Sequence, residues 1–498
     1  MSRYVVALDE GSSSCRAAVV DSDGRIVGER RRAVVPSFPA PRWVELDPVA
    51  LYQAQLDCLR EVMADLSLTS EDIAAIGITT HRETCLVWDR ATGQPLRPAV
   101  MWMSKQTDAI VDRWREQGLD DDVRARTGLF NDSFFSAPKV AWILETVPGA
   151  KARADRGELA FGTVDTWLLW NLTGGRSHLT DHSEASRTAM LSLDALDWDD
   201  KLLEAYGIPQ PLLPAALPSD AFFGEVVPAD VGIAGTTPIP VRSIMADQQA
   251  GMFGQACFEP GSTKNTFGTA GVLTGNAGDS PSIPDGLTGS VGWTVGGRTA
   301  YEVEGVVFHS GQTMQWMRDK LGILRDGDDI EAVASQVPDN GGVYVVPAFA
   351  GMCAPHWNRE AHAGVVGLTL ESSAAHVVRA GVEAMAYQLR DNVEALVFAG
   401  TPVPELKVDG GASRSDLLCQ FTADILGIPV VRPTELERTA LGVAQVAGVA
   451  AGMWTMSDVA DQWVAERTFE PSLAESRRAE LYDGWRNSVA TVLGRRAG

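Results

Sequence analysis

Between residues 376 and 398 apolar side chains recur every third or fourth position: Val378, Val382, Met385, Leu389, Val393 and Leu396. That spacing draws one continuous apolar stripe along a helix. The same period predicts helices over 48–67 and 107–117. Short apolar runs bounded by turn residues predict strands at 4–8, 17–20, 25–32, 76–80 and 85–88. The first three are joined by Glu10-Gly11-Ser12-Ser13-Ser14 and Asp21-Ser22-Asp23-Gly24, so they read as an antiparallel meander.

A related layout returns further on. A strand at 264–267 runs into Gly268-Thr269-Ala270-Gly271, and strands at 290–295 and 300–304 flank Gly296-Gly297-Arg298. Val408-Asp409 leads through paired glycines to a helix near 416–426. The weakly polar stretch 439–454 contains Gln445 and many small residues. It reads as a buried helix, since a membrane span needs about 20 apolar residues. Each half thus opens a mixed sheet with a polar, glycine-containing turn. This predicts an α/β protein of two similar domains, residues 1–252 and 253–498, facing a central cleft in which ligands bind.

Composition narrows the function classes. At 498 residues the chain exceeds what one core serves, and 45% apolar with 21% charged residues is ordinary for a folded globular protein. A net charge of −23 opposes nucleic acid and anionic membrane surfaces as partners. It leaves room for nucleotide, because a nest of backbone N–H groups holds phosphate inside an acidic protein. The six cysteines lie far apart with no CxxC pair, which points to reduced thiols and a cytoplasmic location.

Five stretches carry candidate chemistry. In Asp9-Glu10-Gly11-Ser12-Ser13-Ser14-Cys15-Arg16, Gly11 allows a tight turn, and Ser12 and Ser13 can face a phosphate. Arg16 adds charge there, and Asp9 can hold magnesium through water. Phe267-Gly268-Thr269-Ala270-Gly271 offers a second phosphate turn, and Val408-Asp409-Gly410-Gly411-Ala412-Ser413 lets a ligand approach backbone at a helix N-terminus. Each also reads as an ordinary turn between elements. Asp247, in Ala246-Asp247-Gln248-Gln249, fits a catalytic base at a strand end and equally a helix cap. Arg82 and Glu83 place donors beside an acceptor, which suits neighbouring hydroxyls, or make an exposed ion pair. No GxxxxGK[ST], GxGxxG, GxSxG or HExxH pattern is present.

Together these segments resemble the FGGY family of carbohydrate kinases, its glycerol-phosphorylating members most closely. The resemblance runs from Tyr4 to about Trp485. It also takes in Arg42-Trp43-Val44-Glu45, Gly77-Ile78-Thr79-Thr80-His81-Arg82-Glu83, Gly162-Thr163-Val164-Asp165-Thr166-Trp167, Ala185-Ser186-Arg187-Thr188 and Val343-Tyr344-Val345-Val346-Pro347. It implies two ribonuclease-H-like domains of the actin superfamily, with ATP, Mg2+ and a small polyol meeting in the cleft. It implies Asp247 as general base, and Arg82, Glu83, Trp102, Phe134 and Gln248, with Asp247, as the polyol set. Ser12, Ser13, Arg16, Gly268 and Thr269 are implied phosphate contacts; Gly311, Gln315, Gly411, Ala412 and Ser415 are implied nucleotide contacts. Asp9 and Asp247 would flank the metal.

The expected reaction is glycerol to glycerol 3-phosphate in a cytoplasmic homo-oligomer, a dimer or tetramer. A family member acting on a tetritol, pentitol or ketose is the nearest alternative. A non-catalytic actin-like nucleotide-binding protein is the alternative from another class. Several residues depart from the family pattern: Glu10 for glutamine, Ala246 and Ala270 for glycines, Phe134 for tyrosine, Val272 for phenylalanine and Ser415 for asparagine. Phe134 and Val272 point to a wider pocket with one hydroxyl donor fewer. The 235–238 segment lacks the basic residue of the family's sugar-bisphosphate loop.

Overall fold

The computed structural model describes residues 4–280 and 282–494; the first three and last four residues of the expected spans 1–252 and 253–498 lie outside them. The chain forms two compact units, each discontinuous in sequence. One comprises Met1–Ala256, Gly289–Glu302 and Arg438–Trp463; the other comprises Cys257–Thr288, Val303–Glu437 and Val464–Gly498.

The first unit is built on a six-stranded sheet in the order Gly224–Val226, Ile239–Ala246, Ile73–Thr80, Tyr4–Glu10, Ser14–Val20, Ile26–Ala33. The last three strands are the expected antiparallel meander. Ile73–Thr80 runs parallel to both Tyr4–Glu10 and Ile239–Ala246. Parallel strands covered on both faces read as unbroken apolar runs, and Tyr4–Glu10 is buried at six of its seven positions. Helix Pro48–Asp65 covers one face. Its start is set by Asp47, whose carboxylate accepts from Val49 and Ala50 N–H, and by Pro48 at the first position. Ile76 and Ile78 pack on this side with Leu59 and Val62. Helix Arg438–Ala450 packs against the same central strands, on the side that Gly77 faces.

The second unit orders its strands as Gly271–Gly278, Thr263–Phe267, Leu406–Asp409, Val430–Pro433, Ala465–Phe469, and the Val303–Val307 end of strand Arg298–Val307 continues the row beyond Gly271–Gly278. Leu406–Asp409 is parallel to both its neighbours. The helix predicted over 376–398 spans Ala374–Phe398, opened by a capping box between Ser373 and His376. Its whole apolar stripe lies in the unit's core. All six cysteines are buried thiols. Among the described residues no helix is long and apolar enough to cross a membrane.

The stretch predicted over 439–454 as a buried helix spans Arg438–Ala450. It meets helix Asp247–Gly254 backbone to backbone. A Cβ on Gly442 would lie 1.8 Å from the Ala250 carbonyl oxygen, and one on Gly254 would lie 2.2 Å from that of Arg438. Gly442→Ala is therefore expected to destabilise the protein by about 3 kcal/mol, the upper range for overpacking where backbone cannot yield. Urea denaturation followed by tryptophan fluorescence measures this, and an unchanged midpoint would show that the two helices move apart freely.

Candidate active site

Three parallel strands end level with one another. Asp9 and Met245 both pair with Thr79, and Glu10 and Ala246 both pair with Thr80. The residues just beyond, His81-Arg82-Glu83 and Asp247, therefore emerge at one edge of the first unit's sheet. That edge is underlain by the short helix His182–Ser186. Thr80 Oγ1 donates to Glu184 Oε1 (2.7 Å), and the Ala246 N–H donates to Ser183 Oγ (2.9 Å).

Asp247 is the first residue of its helix, and Ala246 occupies the cap position. Its Oδ1 accepts from the Gln248 N–H (2.7 Å) and faces Arg82 Nε at 3.4 Å. Oδ2 takes no hydrogen bond from the described residues. The Asp247 side chain is 24% exposed, whereas those of Arg82 and Glu83 are 5% and 3% exposed. Arg82 and Glu83 are thus a buried pair rather than a solvated one. Arg82 Nε lies 3.9 Å from Glu83 Oε1, and that same oxygen accepts from Arg187 Nε at 2.8 Å. Glu83 sits at φ +64°, a conformation few residues with a Cβ adopt, and its carbonyl accepts from Ser136 Oγ (3.0 Å).

Trp102 and Phe134 form a wall. Their rings meet edge to face at 5.6 Å, and the Trp102 indole N–H donates to Ser12 Oγ (2.8 Å). Phe134 is held through its backbone. The ammonium of fully buried Lys139 donates to the carbonyls of Ser133, Phe134 and Phe135 at 2.5–2.8 Å. Burial pulls that lysine down to about 8, and the three carbonyls compensate the charged form. In the polar turn, Gly11 N–H donates to the Ser14 carbonyl (2.9 Å). Arg16 pairs with Asp9 at 2.9 Å and with Glu29 at 3.4 Å.

Burial favours the uncharged form of two neighbours. Burial, then the charge of Asp9, pushes the Glu10 carboxyl well above the usual range. Burial also lowers His81, whose Nδ1 lies 3.1 Å from the Glu10 carbonyl oxygen.

The second unit brings its own candidates together. The Gly311 N–H donates to the Gly268 carbonyl (3.0 Å), and the Ser310 N–H donates to that of Thr269 (3.1 Å). The Gly268-Thr269 turn therefore abuts the start of helix Gly311–Asp319, on which Gln315 is exposed. Thr266 pairs with Asp409 across the parallel strands, and its Oγ1 donates to Asp409 Oδ1 (2.5 Å). Gly410 follows at φ +85°, where a Cβ would stand 2.7 Å from the Phe267 carbonyl. Gly411 and Ala412 continue as a single 3-10 turn, and Ser415 caps the next helix by accepting from the Leu418 N–H (3.2 Å). Val272 packs with Val306 and Cys353.

Three side chains at the Arg82 edge carried no assigned role in the sequence: Arg187, Gln249 and Glu302. Gln249 Nε2 donates to Glu302 Oε1 (2.7 Å), and Glu302 lies 3.8 Å from Arg82 Nη1. The available signal was chemical: an arginine inside an otherwise small-residue helix end, and a glutamate in the apolar strand Tyr301-Glu302-Val303.

Comparison with known proteins fits this picture. Residues 4–254 match the N-terminal domain of the FGGY family of carbohydrate kinases, and residues 263–451 match its C-terminal domain. The chain is 45% identical over 489 residues to a glycerol kinase of Halorhodospira halophila, covering 98% of this chain and 96% of that one. It is 46% identical over 494 residues to a glycerol kinase of Aromatoleum aromaticum, covering 99% of each. Among solved structures it resembles Plasmodium falciparum glycerol kinase with ADP, with a TM-score of 0.90, 28% identity and 99% of each chain covered. A xylulose kinase of Lactobacillus acidophilus shares the fold, with a TM-score of 0.87 at 21% identity over 99% of each chain.

The Lys139 contacts generate a stability test. Lys139→Met keeps the aliphatic volume and leaves three carbonyls without their donor. It is expected to destabilise the protein by about 3 kcal/mol, since each orphaned buried group costs roughly 1–3 kcal/mol and relief of the buried charge offsets part. Thermal and urea melts read the change; wild-type stability would mean that water replaces the ammonium.

Proposed function

The chain belongs to the FGGY family of carbohydrate kinases, and on that premise we propose that it transfers the γ-phosphoryl group of ATP to glycerol, giving glycerol 3-phosphate. The observation that carries the reading is Asp247: a part-exposed carboxylate at the end of a central strand, one oxygen unengaged, beside a buried arginine–glutamate pair. An alcohol is a poor nucleophile until a base takes its proton, and Oδ2 of Asp247 is suited to accept it. Arg82 donates and Glu83 accepts within one short stretch, which matches neighbouring hydroxyls of a polyol. Trp102 and Phe134 supply the face against which its carbons rest, with Gln248 at the rim.

Ser12, Ser13, Arg16, Gly268 and Thr269 are assigned to the phosphates. Gly311, Gln315, Gly411, Ala412 and Ser415 are assigned to the rest of the nucleotide; the likeness to an ADP-bound glycerol kinase supports this. Asp9 and Asp247 are the metal candidates. Both are hard oxygen donors. That fits magnesium, which binds through one or two carboxylates, waters and substrate phosphates. When bound, it neutralises charge on the phosphates. The same reading takes the protein to be a cytoplasmic homo-oligomer, a dimer or tetramer; the net charge of −23 supports its having no nucleic-acid partner.

A four- or five-carbon polyol is the second reading. It is carried by Phe134, which presents a ring where a hydroxyl donor would hold glycerol. A coupled ADP-release assay across three- to six-carbon polyols separates the two: glycerol is expected to give the highest kcat/KM, and a tetritol or pentitol above it would favour the second. If no polyol stimulates ADP release, the kinase reading fails.

The role of Asp247 has its own test. Asp247→Asn should leave the KM values for glycerol and ATP within a few-fold and cut kcat by roughly 10²-fold or more, the usual scale for a lost general base. Near-wild-type turnover would reduce Asp247 to a helix-start residue.

A further inference from the structure

We propose that Glu302 is a positioning residue for Arg82, and that it acts through the side-chain amide of Gln249; this rests on the assignment of Arg82 to the polyol. Glu302 is far from Arg82 in sequence and belongs to the segment Gly289–Glu302, which packs with the first unit. Several hydrogen bonds anchor that segment. The Gly289 N–H donates to the Gly128 carbonyl (3.0 Å), and the Val291 N–H to Ser186 Oγ (3.0 Å). The Ser219 N–H donates to the Thr294 carbonyl (2.8 Å), and Tyr301 Oη to the Leu193 carbonyl (2.8 Å). The carboxylate is fully buried, and its position is therefore set by backbone.

The local geometry is a relay. Glu302 Oε1 accepts from Ser290 Oγ and from Gln249 Nε2, both at 2.7 Å. An amide whose nitrogen is committed to a carboxylate must present its oxygen on the other side. Gln249 Oε1 accordingly faces Arg82 Nη1 at 3.5 Å. The carboxylate itself stands 3.8 Å from that nitrogen. It is too far for a hydrogen bond and close enough to attract the guanidinium. Without the negative charge, the amide nitrogen keeps only the longer contacts to Ser290 Oγ and the Val291 carbonyl, both at 3.4 Å, and an inverted amide would set N–H against N–H.

The consequence concerns Asp247. Arg82 Nε lies 3.4 Å from its Oδ1, longer than the 2.7–2.9 Å typical of a charge-assisted bond. Attraction from Glu302 and Gln249 on one side and Asp247 on the other holds the guanidinium between them. Arg82 is thereby kept from closing onto the carboxylate, and its guanidinium keeps its place at the polyol subsite. Loss of Glu302 would let the pair close, and the subsite for polyol would change while that for nucleotide would not.

The test is a double-mutant cycle on the full-length protein, read as KM for glycerol, KM for ATP and kcat. E302Q is expected to raise the glycerol KM about tenfold or more with the ATP KM within about twofold, and E302D to restore most of the loss. In an Arg82→Ala background E302Q should cost less than about twofold further, because its partner is already gone. Should E302Q not fold, Q249M removes the relay from the other end and is expected to show the same split and the same non-additivity. An unchanged glycerol KM in a folded E302Q or Q249M overturns the proposal, and so does an equal loss with Arg82 absent, which would mark Glu302 as merely structural. A wild-type protein inactive on every polyol overturns the kinase reading first, and this inference falls with it.

Discussion

Two guanidinium groups, Arg82 and Arg187, are buried at the end of the first unit's sheet, and a buried charge is tolerated only when it is met by partners of opposite sign. Glu83 meets Arg187 at hydrogen-bond distance, whereas Glu83, Asp247 and Glu302 all stand 3.4–3.9 Å from Arg82. The asymmetry separates the two arginines by task. Arg187 holds the Glu83 side chain, and the Ser136 hydroxyl holds its left-handed backbone. Arg82 is shared among acceptors that include Glu83, Gln249, Asp247 and Glu302. Its place is set by several groups at once, and the surrounding packing keeps it there.

The neutral residues beside it follow the same logic. Burial favours the uncharged form of Glu10. A protonated carboxyl has one donor and acceptor capacity, as an amide does, so this residue adds less charge to the sheet's edge than its name implies. His81 is likewise kept uncharged by burial.

Much of this was legible in the sequence where periodicity and turn chemistry speak. The stripe of Ala374–Phe398 and the opening meander are read from spacing alone. The strand Tyr4–Glu10 runs two residues beyond the apolar stretch, because pairing with Thr79 and Thr80 extends the ladder through Asp9 and Glu10 whatever their polarity. Periodicity states which side chains are inside, not inside what: 439–454 was legible as a buried helix, but nothing in it names the first unit's sheet as its neighbour. Glu302 was the least accessible, since its meaning comes from an amide more than fifty positions earlier. The candidates of the two phosphate turns were visible because glycine, serine and threonine after a strand are a local signal.

Helix Arg438–Ala450 has one more consequence. It touches Asp247–Gly254 at the level of backbone atoms, yet it is made almost two hundred residues later. A ribosome releases the helix that begins at Asp247 long before it releases the surface that pins it. Until then, the central strands have only one of their two covering layers, and the glycine-lined face lies open to water or to a chaperone. The first half of the chain therefore cannot mature as a finished domain during synthesis, as N-terminal domains commonly do. Its completion waits for nearly the entire polypeptide, and a chain stopped short of Arg438 is an incomplete fold rather than a half-enzyme.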